Sequence, residues 1–228
     1  MNMMKKRMKD IKKRIESAAS RAKRDPASIK LIAVSKNQSL SRIKSLNSLG
    51  INKFAENRVQ EMRDKYDKAN NIEWHFIGHL QRNKVKYLLR MERCKMIHSV
   101  DSHRLLCEIN KRARKNKRVM PVLIEVNIAK DRKKFGFSPE AVADFLTEAQ
   151  KFKYIDIRGL MTIVPYIANP EETRLYFRAM NSLIHSLNKE GFSLTELSMG
   201  MTNDFEIAIE EGSTMVRVGT GLFGKRVD

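Results

Sequence analysis

From Lys30 to the C-terminal end, eight short apolar runs alternate with stretches of helical spacing, and that alternation most restricts the fold. The runs lie near 31–35, 53–56, 73–77, 96–100, 121–127, 155–163, 194–198 and 214–218. Parallel strands need a crossover to return the chain in the same direction, and the helical stretches supply it. Eight such units in 228 residues predict a single α/β domain over 1–228, a (β/α)8 TIM-type barrel with an extra N-terminal helix over 1–25. A doubly wound open sheet is the alternative. Asn169 with Glu172 and Asn203 with Glu206 have the spacing of capping boxes, and Ser138-Pro139 starts another helix. Gly191 and Gly212 fall where helix C-caps belong.

The N-terminal segment places Met4, Met8, Ile11, Ile15, Ala18 or Ala19 and Ala22 on one stripe. A basic amphipathic helix of this kind reads as packed on the barrel; a transit peptide or membrane-surface helix is the other reading. Net charge is +19, concentrated in residues 1–30 (11 bases, 3 acids) and 82–118 (13 bases, 3 acids). Such stripes either are solvated helix faces or attract nucleic acid. No helix-turn-helix, zinc-finger or RNP pattern accompanies them, so no specific nucleic acid is expected. The apolar runs are too short to span a bilayer. Cys94 and Cys107 match no metal spacing and read as reduced thiols, consistent with a soluble cytoplasmic chain.

In a barrel, chemistry gathers at the C-terminal strand ends. Those positions hold Lys36, Glu56-Asn57-Arg58, His79, Asp101-Ser102, Asn127, the run Ser198-Met199-Gly200-Met201-Thr202, and Arg217-Val218-Gly219-Thr220-Gly221. Loops after the seventh and eighth strands often hold phosphate, because glycine lets backbone amides approach an anion and hydroxyls add donors. A glycine-rich turn that merely closes the barrel is the other reading. Residues 219–224 spell G-x-G-x-x-G, but no βαβ unit follows, which excludes a dinucleotide site. Lys36 shares a strand face with Ile32 and Val34 and points to the barrel mouth. An ordinary lysine, of pKa near 10.4, is neutral in about one molecule in two thousand at pH 7. A desolvated lysine beside a phosphate site suits an aldehyde cofactor such as pyridoxal phosphate; a snorkelling strand-end lysine is the alternative. The histidines lack metal-ligand spacing, and no metal is assigned.

The ordered blocks Ala33-Val34-Ser35-Lys36, 54–61 (FAENRVQE), 74–81 (WHFIGHLQ), Val126-Asn127, 159–162 (GLMT), 197–201 (LSMGM) and 216–220 (VRVGT), running on through Phe223-Gly224 to Arg226, resemble the pyridoxal phosphate homeostasis protein family. The resemblance implies a barrel like the N-terminal domain of alanine racemase. It makes Lys36 the lysine that forms the pyridoxal 5′-phosphate aldimine. It places Arg217 against the pyridine nitrogen and Asn57 beside the ring. Ser198, Gly219 and Thr220 would hold the phosphate, and Met199 completes the cofactor-binding set. Ala55, Arg82 and Asn37-Gln38 depart from the family's usual Gly, Ser and Thr-Lys; the last of these bears on cofactor affinity. The implied role is vitamin B6 homeostasis by a monomer with little or no catalysis, serving pyridoxal phosphate-dependent apoenzymes. A racemase-type enzyme and a basic nucleic-acid-binding protein are the competing readings. Racemisation by two bases needs a second acid/base group. No domain after Asp228 is expected to supply it as one does in alanine racemases, so Tyr166 is the one expected candidate for a substitute.

Overall fold

In the computed structural model, which describes residues 2–224, strand β1 (Lys30–Val34) pairs in parallel with both β2 (Lys53–Glu56) and β8 (Met215–Val218). Between them β3 (Glu73–Phe76), β4 (Cys94–Val100), β5 (Met120–Glu125), β6 (Ile155–Met161) and β7 (Glu196–Ser198) complete a closed barrel in sequence order. The alternation therefore resolves as the (β/α)8 barrel, not the open sheet. Helices α1 (Asn2–Arg21), α2 (Leu40–Asn47), α3 (Val59–Tyr66), α4 (Val85–Arg90), α5 (His103–Lys115), α6 (Val142–Ala149), α7 (Arg174–Lys189), α8 (Phe205–Glu210) and α9 (Thr220–Phe223) accompany it. Arg226, the last residue of the family resemblance, lies outside the described residues.

Alternate strand residues face two cores. Inside the barrel, Ile32, Ala55, Met96, Leu123, Met161 and Met215 pack together. Between strands and helices lies the larger core, where Phe54, Trp74, Phe76 and Phe177 are fully buried. Three methionines in the small inner core fill an irregular space with flexible side chains.

Strands β5 and β6 each end two residues before their apolar runs do. Val126 donates its N–H to Met161 O (2.8 Å) and bridges Phe137, while Asn127 donates to Phe137 O (2.9 Å). The chain after β5 thus leaves the barrel to pair with the loop that returns over its mouth.

Helix α1 buries Ile11, Ile15, Ala18 and Ala19, the expected stripe, against α8 and α9. It ends at Arg21 rather than 25, because Lys23 adopts a left-handed φ of 54° and Arg24 N–H bonds back to Ala19 O (2.9 Å). Bases of α1 and of the turn after it are engaged: Arg14 makes two bonds to Glu206 (3.0 and 2.6 Å), Arg21 bonds Glu210 (2.7 Å), and Arg24 bonds Ile209 O and Ser213 O (2.7 and 2.8 Å). Lys5, Lys6, Lys9, Lys12 and Lys13 remain exposed. No described helix is long and apolar enough to cross a membrane.

The caps match in part. Gly191 and Gly212 follow α7 and α8 with φ of 100° and 102°. Asn169 accepts from Glu171 N–H (3.2 Å), one residue short of a capping box. Asp204, not Asn203, caps α8, with its carboxylate turned back to Met201 N–H (2.6 Å).

Candidate cofactor-binding site

A cavity of about 640 Å³ opens at the C-terminal ends of the strands. Five of the seven expected cofactor residues line it: Lys36, Asn57, Arg217, Gly219 and Thr220. Ser198 and Met199 are fully buried and lie outside the lining. Lys36 is half-buried. It occupies a turn closed by Gln38 N–H on Ser35 O (3.0 Å), with Asn37 at φ 59°. A turn with positive φ at its third residue favours Gly or Asn, which explains the asparagine after the lysine.

The Arg217 guanidinium, 3% exposed, donates to Ser198 Oγ (2.7 Å) and to Thr162 O (2.8 Å). Two of its five N–H groups are committed there, which leaves donors for a ligand. Burial pushes its pKa down to about 10, against the pull of Asp204 and Glu125, so it stays cationic near neutral pH. Behind Ser198, His98 Nδ1 lies 3.0 Å from the hydroxyl, and His98 Nε2 lies 2.8 Å from His75 Nδ1. Burial pushes His75 down to about 3, with Lys53 and Lys30 adding repulsion, and holds His98 well below the ordinary histidine range. Both rings are neutral near pH 7, so the file His75–His98–Ser198 braces the arginine without adding charge. The described residues hold no cluster of three or more metal-ligating side chains.

Glycine is needed beside Asn57. A Cβ on Gly78 would sit 2.1 Å from Asn57 O, so this close approach is what seats the asparagine loop. At the rim, His79 bonds Asp101 (2.8 Å) and stacks on Phe135, with ring centroids 3.7 Å apart. Tyr166, 83% exposed, also lies on the rim.

Glu125 and Phe135 line the site without being legible in the sequence, and Glu125 is the titratable one. It ends β5, is 9% exposed and lines the cavity. Its sequence signal is an acid inside the apolar run 121–127, masked because the run continues to Asn127. Burial pushes its carboxyl up to about 7, Asp101 adds to the shift, and Arg217 opposes it. Between about pH 4.5 and 7 the folded chain holds a proton on Glu125 that the unfolded chain has released. Its contribution to stability therefore falls as pH rises through that window. Glu125→Gln is expected to lose less unfolding free energy between about pH 5 and pH 8 than the unmodified chain does. Urea titrations at the two pH values check this; identical pH dependence would exclude Glu125 as the titrating group.

The family model described as "Alanine racemase, N-terminal domain" matches residues 7–227. Over 223 residues the chain is 45% identical to the pyridoxal phosphate homeostasis protein of Aquifex aeolicus, covering 96% of this chain and 97% of that one. The chain belongs to the pyridoxal phosphate homeostasis protein family. The family member from Synechocystis is 36% identical over 206 residues, 89% of this chain and 94% of its own. Among solved structures, PipY of Synechococcus elongatus with pyridoxal phosphate bound superposes with a TM-score of 0.81 at 34% identity. That likeness covers 92% of this chain and all of PipY. An alanine racemase of Clostridium difficile, 18% identical with a TM-score of 0.71, shares the barrel fold over 88% of this chain and 53% of its own.

Proposed function

We propose that this chain, with residues 1–228 acting as one unit, binds pyridoxal 5′-phosphate covalently through Lys36 Nζ. Its role would be cofactor homeostasis in the cytoplasm: as a monomer it holds and releases the cofactor for apoenzymes, with little catalysis of its own. The observation that carries this reading is a half-buried primary amine on the same cavity as a buried, braced guanidinium and a glycine-led helix start. That donor set fits the cofactor's aldehyde, ring nitrogen and phosphate respectively. The family membership and the pyridoxal phosphate in PipY support the same ligand.

When bound, pyridoxal phosphate supplies an electrophilic aldehyde and an electron-withdrawing ring. The chain supplies the rest. Lys36 provides the attaching amine. Arg217, lacking any acceptor, keeps a facing ring nitrogen unprotonated and so weakens the ring as an electron sink. Ser198 holds Arg217 from beneath, and Met199 packs in the outer core one residue before Gly200, whose φ of 90° turns the loop. Gly219 and Thr220 offer donors to phosphate, and Asn57 flanks the ring.

Little catalysis follows from the proton balance. Racemisation by two bases needs a group on each face of the substrate carbon. Lys36 serves one face, while Tyr166 stands largely in solvent on the rim. Deuterium exchange at Cα and chiral analysis of several amino acids are expected to show turnover far below ~1–10³ s⁻¹. Turnover within that range, abolished by Lys36→Ala, would favour the racemase reading suggested by the family model.

A further inference from the structure

On the outer side of β1 and β2 lies a group of charges that the binding site does not use directly. Lys65 of α3 is 8% exposed and Glu56 at the end of β2 is fully buried. Lys65 Nζ donates to Ser35 O (2.9 Å), Glu56 Oε1 (2.8 Å) and Glu61 Oε1 (2.7 Å). An ammonium has three N–H donors, and all three are placed. The two carboxylates reach further. Glu56 Oε1 accepts from Ser35 Oγ (2.6 Å), and Glu61 Oε1 accepts from Asn37 N–H (2.5 Å). Ser35 and Asn37 are the residues immediately before and after Lys36.

We propose that Lys65, with Glu56 and Glu61, is a positioning clamp that fixes the turn bearing Lys36 and so sets where its amine stands in the cavity. The proposal rests on the reading of Lys36 as the attaching amine. Two further observations support it. A buried ion pair contributes little net stability, since desolvation offsets its attraction, but it imposes defined geometry. Here that geometry is spent on both neighbours of a single residue, while the Lys36 side chain itself makes no hydrogen bond or ion pair among the described residues. Covalent attachment depends steeply on placement of the reacting atoms: a misplacement of about 1 Å costs up to about a hundredfold.

The test compares Lys65→Met, Glu61→Ala and Glu61→Gln with the unmodified chain, after thermal unfolding has shown each to be folded at the assay temperature. Pyridoxal 5′-phosphate is added, samples are quenched with borohydride over time, and the adduct on the Lys36 peptide is quantified. Pyridoxine 5′-phosphate, which has no aldehyde, is titrated in parallel. Attachment is expected to slow by about ten- to a hundredfold in Lys65→Met and Glu61→Ala. Glu61→Gln, which keeps an acceptor for Asn37 N–H, is expected to stay within about threefold of the unmodified rate. Affinity for pyridoxine 5′-phosphate is expected to hold within about threefold in all of them, because no covalent step is involved. Should Lys65→Met fail to fold, Glu61→Ala carries the test at its half-buried position. Attachment within twofold of the unmodified rate in Lys65→Met and Glu61→Ala, or equal losses for both ligands in them, would overturn the clamp. A Lys36→Ala control that still traps the cofactor would instead remove the reading beneath it.

Discussion

Pyridoxal 5′-phosphate is expected to bind at least a hundredfold more tightly than pyridoxal. The cavity wall after β7 and β8 presents Thr202, Gly219 and Thr220. Thr202 Oγ1 already accepts from Gly221 N–H (3.2 Å), which leaves its own O–H free to donate. Each hydrogen bond to a charged group contributes roughly 1.5–3 kcal/mol. Two of them give about 3–6 kcal/mol, or about 10² to 10⁴ in affinity. Replacing Thr202 and Thr220 together by Ala is expected to narrow the ratio between the two vitamers. Ser198→Ala is expected to weaken both alike, because its hydroxyl is buried outside the cavity lining and accepts from Arg217 (2.7 Å). Calorimetric titration with each vitamer decides the matter, and equal affinities would contradict a phosphate pole at these loops.

Gly159→Ala carries the largest expected loss of stability. In the β6–β7 register Gly159 faces Glu196, and a Cβ there would sit 1.8 Å from Glu196 O and 2.6 Å from its carbonyl carbon. Both atoms belong to a strand fixed by the closed barrel, so neither can swing aside. Overpacking of this kind costs about 3 kcal/mol or more. For a chain of this size that lowers Tm by roughly 6–12 °C. Gly50 is the control. It has φ 94° and open space around its missing Cβ, so Gly50→Ala incurs only backbone strain of about 1 kcal/mol. A Gly159→Ala shift no larger than that of Gly50→Ala would show that the barrel yields where the register says it cannot.

The barrel was legible because its signals are local. Each apolar run and the helix after it can be read from their own residues, and strand-end positions follow by counting. That counting placed Lys36, Asn57, His79 and Arg217 at the mouth, where all four line the cavity. What stayed hidden depends on closure and register. His75, His98, Ser198 and Arg217 meet only because β3, β4, β7 and β8 enclose one interior. The Lys65 clamp needs α3 to pack behind the turn after β1, and neither spacing nor composition encodes that. Glu125 was lost to a strand read two residues too long. Phe135 was lost because its loop folds back over the mouth through the Val126–Phe137 bridge, a pairing no periodicity announces.

Whether Lys36 is the attaching amine is decided by where the cofactor becomes fixed. Protein reconstituted with pyridoxal 5′-phosphate is expected to show a visible absorption band. Borohydride reduction followed by peptide mapping should then place the phosphopyridoxyl group on the Lys36 peptide, with neither band nor adduct in Lys36→Ala. An adduct found only on other lysines, or none at all on reconstituted protein, would contradict the account.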